Sequence, residues 1–334
     1  MAGDASAESP PSPAGDLPAV SIVVPLWPDR PPAENLEVAR LADRAGIGEI
    51  WIGEMATYDA VALATAIGSS GPGARLTIGP LAVHVRTPLT MALGVASVAD
   101  LTGREVGLAV GTSSPVVVEQ WHRRPRRAPA RTLADTVERV RAILAGERTD
   151  GFRLRLTPRP ETPITVAAFG TRAVGVAARH ADRMVLNLVT PDAAARLCAR
   201  LAEAARDAGR SRPPVAAWVP VAVDPTPAAF DQLRGALLAY LAAPGYGEML
   251  GSAGLTAAVE AARAGAHPRD LVGLMSDEAV AAVAAVGSPG AVLERLRAYR
   301  AAGVDEVAVV PVTAGDEAGA RTIAALGEAV GGHR

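Results

Sequence analysis

Apolar, β-branched runs alternate with alanine-rich helical stretches from about residue 20 to about residue 330. Three joins show the rhythm well: Arg44-Ala-Gly-Ile-Gly-Glu-Ile-Trp-Ile52, Arg179-His-Ala-Asp-Arg-Met-Val-Leu-Asn187 and Arg300-Ala-Ala-Gly-Val-Asp-Glu-Val-Ala-Val-Val310. Each is a helix end followed within a few residues by a short apolar run. Gly46 and Gly303 suit the left-handed position that stops a helix. Repeated helix-to-strand joins predict parallel strands with helical crossovers and a sheet covered on both faces.

The pattern predicts strands at 20–26, 48–53, 75–83, 105–111, 163–168, 183–188, 214–223 and 305–311. Helices are predicted between them, notably at 34–45, 57–68, 88–101, 131–145, 172–181, 191–208 and 288–302. Eight strands with right-handed crossovers are the count of a closed (β/α)8 TIM barrel. One gap is too long for a single crossover. Residues 224–287 hold several helical segments, so a helical insertion precedes the last strand. An open doubly wound sheet is the alternative, but no G-x-G-x-x-G follows the first strand. Val20–Pro25 runs into Leu-Trp-Pro-Asp-Arg-Pro-Pro instead.

Composition narrows the class. Apolar residues make up 49% and charged residues 20%, enough for a sizeable core. No uninterrupted apolar stretch has the length of a membrane span. Residues 1–18 are rich in Ala, Ser, Pro, Gly and Asp and read as a disordered arm, leaving 19–334 as the barrel domain. The one cysteine, Cys198, excludes a disulfide framework and a thiolate metal site, and the cytoplasm is the default location. A net charge of −2 gives no reason to expect nucleic acid. Every basic residue is Arg, which excludes lysine Schiff bases and P-loop lysines.

In a barrel, chemistry gathers at the carboxyl ends of the strands. Gly111, Thr112, Ser113 and Ser114 follow the fourth strand; small side chains there admit a planar or anionic ligand, or simply form a Ser/Thr turn. Ala167, Ala168, Gly170, Thr171 and Arg172 follow the fifth strand and open a helix. Arg172 in the first turn opposes the helix dipole unless an anion is present, which favours a phosphate site. Gly79-Pro80 inside the third strand predicts a bulge, since proline removes a ladder donor and a closed barrel has no free edge. Glu54 and Met55 end the second strand, and His122 follows the fourth; a solvated Glu is the plainer reading of Glu54. Arg123, Arg124, Arg126, Arg127 and Arg131 form a run that holds a polyanion or faces solvent. The five His residues lack metal-ligand spacing.

In order and spacing these segments resemble the luciferase-like monooxygenase superfamily, most closely its coenzyme F420-dependent oxidoreductases. The marks are Ile50-Trp-Ile-Gly-Glu54, Gly111–His122, Arg131-Thr, Ala167-Ala-Phe-Gly170, Ala181-Asp-Arg-Met-Val-Leu-Asn187 and Ala243-Pro-Gly-Tyr246. The resemblance implies a dimeric barrel carrying deazaflavin (F420) or FMN at its carboxyl face. It further implies a cis Gly79-Pro80 bulge behind the ring, cofactor phosphate at the Ala167–Thr171 turn, and Asn187 lining the site. Two departures matter. Many such dehydrogenases place His after the second-strand acid, where this chain has Met55; some end the fourth strand with Glu, where this chain has Ser114. The expectation is therefore an F420H2-dependent reductase acting on an activated C=C or C=N bond in a small molecule or peptide, with natural-product tailoring as a plausible setting. Glu54 or His122 is the candidate proton donor. An FMN-dependent monooxygenase and a non-catalytic barrel subunit are the alternatives.

Overall fold

The structure is a computed structural model that describes residues 17–331. The arm expected over residues 1–18 lies outside them except for its last two residues. Leu17 packs against the core and Pro18 is buried, immediately before the first strand.

Strands β1 (Ala19–Val24), β2 (Glu49–Ile52), β3 (Arg75–Ala82), β4 (Val106–Gly111), β5 (Ile164–Ala167), β6 (Arg183–Asn187) and β7 (Val215–Val223) pair in parallel in chain order. A three-residue strand, β8 (Ala285–Gly287), adds to the carboxyl end of β7, and β9 (Glu306–Pro311) pairs with both β7 and β1. The ring β1–β7 plus β9 is therefore the closed eight-stranded barrel that the alternation predicts. Outside it run α1 (Glu34–Arg44), α2 (Ala60–Gly68), α3 (Pro88–Thr102), α4 (Pro129–Leu144), α5 (Thr171–His180) and α6 (Pro191–Asp207). The long crossover holds α7 (Pro227–Leu241), α8 (Tyr246–Leu250), α9 (Thr256–Arg263), α10 (Pro268–Val272) and α11 (Asp277–Ala281), and α12 (Pro289–Ala301) and α13 (Ala320–Gly331) close the ring of helices. No helix among the described residues is long and apolar enough to cross a membrane.

Side chains two apart on a strand share a face. The outward residues, such as Ile22, Ile50, Leu76, Leu108, Val166 and Leu186, build the main core against the helices. The inward residues stack in layers. Val23, Trp51, Ala109, Val185, Ala216 and Ala308 form a compact apolar middle layer.

Beneath it, toward the amino ends of the strands, the interior is charged. Arg183 donates to Glu49 at 2.6 and 3.0 Å and to Glu306 at 2.5 Å, and its Nε reaches Thr165 at 3.2 Å. Its guanidinium carbon lies 4.2 Å from the centre of the Trp51 ring, whose Nε1 donates to Glu306 at 3.0 Å. Arg75 pairs with Glu49 Oε2, the oxygen that Arg183 Nη1 also reaches. Glu49, Glu306 and Arg183 are largely buried, and Arg75 joins them from the solvent-accessible rim, so two carboxylates and two guanidiniums neutralise one another. Burial alone would push the Glu49 carboxyl up, but Arg183, Thr77 and Arg75 outweigh it and hold the carboxyl below its ordinary value. A cleft of about 880 Å³ opens below this network, at the end of the barrel opposite the strand carboxyl ends.

Glu49→Gln should cost about 3 kcal/mol in chemical denaturation, because it leaves a buried guanidinium under-paired. The depressed carboxyl contributes stability above the ordinary glutamate value of about 4.3 and loses it as pH falls through its lower folded value. The variant should therefore show a shallower loss of stability with acid. An unchanged slope would show that Glu49 is not the group titrating.

Candidate functional site

Above the middle layer the inward positions are small on β2, β4 and β5, while β6, β7 and β9 carry Asn187, Trp218 and Val310. Gly53, Gly79, Gly111 and Ala167 supply the top layer from β3, β4, β5 and the end of β2, with Asn187 from β6 and Trp218 from β7. A Cβ on Gly111 would stand 3.2 Å from Ala167 Cβ and 3.7 Å from Pro80 Cβ, so these three residues line one surface. A Cβ on Gly53 would stand 3.2 Å from Leu26 and from the Trp218 ring on the facing wall. The result is a bowl floored by small side chains, with Trp218 standing edge-on to Trp51 at a ring separation of 5.8 Å.

The bulge expected at Gly79-Pro80 is present. The bond is cis, and the β3–β4 register shifts between Ile78 and Leu81. Gly79 has φ +116°, and a Cβ there would lie 2.2 Å from the Ala109 carbonyl oxygen, so only glycine fits.

Other expected site residues are distributed differently. The Ser114 hydroxyl accepts from Val117 N–H at 3.2 Å and caps a π-helical turn, Val116–Trp121. Arg126 folds back onto the Thr112 and Ser113 carbonyls and the Thr112 hydroxyl, at 3.1 to 3.3 Å. These groups are engaged by the protein itself, which is the turn reading of that segment, and Arg126 is spent on it. Ala168 is buried in the outer core with its N–H on the Val185 carbonyl at 3.2 Å, so its side chain faces away from the bowl. The backbone alternation that turns Ala167 inward turns Ala168 outward.

Gly170 precedes α5 without a side-chain cap, and Thr171 and Arg172 are exposed in its first turn. Arg172 has no hydrogen-bond or ion-pair partner among the described residues. This helix start offers free N–H groups and an unpaired guanidinium together.

Glu54 is half-buried and belongs to Arg86, whose Nε donates at 3.0 Å and whose Nη2 takes the second oxygen and also Asp59. These bonds raise the pKa of Arg86. The indole of Trp51, in the middle layer, turns its Nε1 down to Ser21 and Glu306. His122 is exposed, its N–H closing the π-helical turn on Val117. The two candidate proton donors are thus not brought together.

The insertion supplies residues that the strand pattern did not single out. Gln232 on α7 ties it to the barrel, donating to Asp29 at 2.9 Å and accepting from Thr313 N–H at 2.9 Å. Tyr246 stacks on Phe169 at 4.6 Å, and Tyr240 lies 4.9 Å from Tyr246. Asn187 Nδ2 donates to the Tyr240 hydroxyl at 3.3 Å. Burial pushes the Tyr240 pKa up, against the weaker opposing effect of Asn187. The segments Ala167–Gly170 and Ala243–Tyr246 were visible in the sequence as motifs, but their stacking joins residues far apart in the chain. Among the described residues no cluster of His, Cys, Asp and Glu could hold a metal ion.

Comparison with known proteins bears on this bowl. A family model described as luciferase-like monooxygenase matches residues 11–306. A Mycobacterium tuberculosis protein, provisionally named a coenzyme F420-dependent oxidoreductase, is 26% identical over 90% of this chain and 96% of its own. The coenzyme F420-dependent tetrahydromethanopterin reductase of Methanopyrus kandleri superposes with a TM-score of 0.78 at 19% identity, covering 94% of this chain and 99% of that one. The oxygenating constituent of Pseudomonas putida 3,6-diketocamphane monooxygenase, solved with FMN, superposes with a TM-score of 0.68 at 17% identity, covering 94% and 98%.

Arg86→Met should destabilise the fold by about 2 kcal/mol, since it strips charge-assisted hydrogen bonds from Glu54 and Asp59. Arg86→Lys should recover only part of this, because an ammonium lacks the planar fork that serves two carboxylates. Full recovery in Lys by urea denaturation would mean that charge alone matters there.

Proposed function

Because the chain belongs to the luciferase-like monooxygenase family, we propose that it is an F420H2-dependent reductase. It delivers hydride to an activated C=C or C=N bond of a small molecule or peptide. The observation that carries this reading is the small-residue floor of the bowl at the barrel's carboxyl end. Gly111, Ala167 and Pro80 leave a flat surface against which a tricyclic ring can lie, and any larger side chain at Gly111 would fill it. The indole Nε1 of Trp218 is buried with no hydrogen-bond partner. A buried donor left unpaired costs about 1–3 kcal/mol, and a ring carbonyl would satisfy it. The free start of α5 with Arg172 supplies the anion-binding groups that a cofactor phosphate requires.

Reduced deazaflavin supplies a hydride when bound; the rest is done by the chain. The floor residues orient the ring by leaving no other space for it. Phe169, Tyr240 and Tyr246 cover one side and exclude water. The product needs one proton on the atom next to the one that receives hydride. Glu54 has both oxygens engaged by Arg86, and His122 stands outside the bowl. Tyr240 accepts from Asn187 and has its own O–H uncommitted, and burial keeps it protonated at neutral pH. Glu54 then holds Arg86 in place instead of giving a proton.

The F420 name of the M. tuberculosis relative favours deazaflavin, whereas the FMN complex of the P. putida neighbour favours the alternative, an FMN-dependent monooxygenase. Fluorescence titration with F420, FMN and FAD side by side decides between them. Micromolar or tighter binding of F420, at least about tenfold tighter than FMN, is expected. The reverse order would overturn the cofactor assignment, and binding of none would favour a non-catalytic subunit.

Tyr240→Phe should lower turnover by about 10²-fold or more, the usual worth of a positioned acid, while F420 affinity stays unchanged. Glu54→Gln should affect stability more than the rate in the same assay. If the Phe variant keeps full turnover, the proton comes from another source.

A further inference from the structure

Beside the bowl lies a second cavity, of about 380 Å³, between the segment that joins β3 to α3 and the first three turns of α4. His84, Arg86, Arg124, Thr132, Asp135 and Arg139 contribute its polar lining. We propose that this cavity is an anion-binding pocket, taking a phosphate or carboxylate group, and that it communicates with the bowl through Arg86.

The histidine carries the argument. His84 Nε2 lies 3.0 Å from the Arg127 carbonyl oxygen, which can only accept, so Nε2 carries a proton. Nδ1 of the same ring is buried and has no partner. Neutral, it is an acceptor without a donor; protonated, it is a donor without an acceptor. Either state leaves a buried polar atom unsatisfied, which folded proteins rarely tolerate without a ligand or ordered solvent. The surroundings decide which ligand. Three guanidiniums line the cavity against one carboxylate, Asp135, and that carboxylate already faces Arg131 at 3.7 Å. Arg139 is paired with Asp150, and Arg86 with Glu54 and Asp59. The Arg124 guanidinium has no partner among the described residues. An anion bridging Arg124 and a protonated Nδ1 would satisfy both at once, through the charge-assisted bonds that guanidiniums form best. The start of α3, at Thr87 and Pro88, also borders the cavity and adds a favourable field.

Of the arginine run after β4, this geometry selects Arg124. Arg126 holds the turn over Thr112, and Arg127 presents only its carbonyl to His84. Arg86 spans the two sites, since it lines this cavity and also grips Glu54 at the bowl's edge. The pocket does not depend on which cofactor the bowl takes.

The test uses inorganic phosphate with the full chain at fixed ionic strength, read by calorimetry and by the ¹⁵N resonance of His84 Nδ1. Saturable binding that moves that resonance is expected. Arg124→Gln, an exposed site whose change should leave the fold intact, should weaken binding by about tenfold or more. Arg172→Gln, at the start of α5, should leave the phosphate-induced movement of the His84 resonance unchanged. A γ-linked glutamate oligomer added in competition separates the sources: displacement of phosphate points to a carboxylate tail, and no displacement to a phosphate group. If phosphate leaves the His84 resonance unmoved, or binds Arg124→Gln as well as the parent while Arg172→Gln loses it, the pocket assignment is wrong.

Discussion

Arg183 and the two glutamates it bridges set the plan of the interior. An eight-stranded barrel is only just wide enough inside for side chains to fill it. Here the amino end is filled by long charged groups, with Glu49 and Glu306 reaching in from β2 and β9 and Arg183 from β6. Trp51 lies over the guanidinium and occupies much of the middle. The inward alternation then leaves only glycines and alanines for the top of β2, β4 and β5. The barrel interior is thus filled by charge at the amino end and left open by small residues at the carboxyl end. Such buried networks gain little over an apolar filling, but losing one member is costly, because the remaining charges are stranded.

Much of the fold was legible from the pattern, because parallel strands covered on both faces read as short, continuous apolar runs. The strands observed at 49–52, 75–82 and 183–187 fall within those predicted, with ends shifted by a residue or so. The bulge was legible for a local reason, since Gly79-Pro80 cannot sit in a regular ladder. What the pattern could not supply were pairings between distant segments. Glu49 and Arg183 look like ordinary strand-end charges, separated by most of the barrel, and only closure brings them together. The same holds for Tyr246 on Phe169 and for Tyr240 with Asn187. Ser114 and Arg126 looked like ligand-binding groups because their side chains can bind anions, yet local turn geometry uses both.

The insertion finishes the site instead of merely decorating the barrel. Gln232 anchors α7 to the segment after β9, and the aromatic pair from the insertion closes over the turn after β5. One side of the bowl is thus built by the sheet and fixed by its register, while the other is built by helices and can vary independently.

The central claim is that a deazaflavin ring lies in the bowl and meets the unpaired indole of Trp218. The chain has four tryptophans, and two of the other indoles are already committed, Trp51 to Ser21 and Glu306 and Trp27 to the Pro311 carbonyl. Two-dimensional ¹H–¹⁵N spectra of the indole groups, recorded as F420 is added, report on each one separately. The Trp218 resonance is expected to move downfield and saturate at one equivalent of cofactor, while those of Trp27 and the exposed Trp121 stay near their original positions. Saturable F420 binding that leaves the Trp218 resonance where it began would place the ring elsewhere and contradict the account.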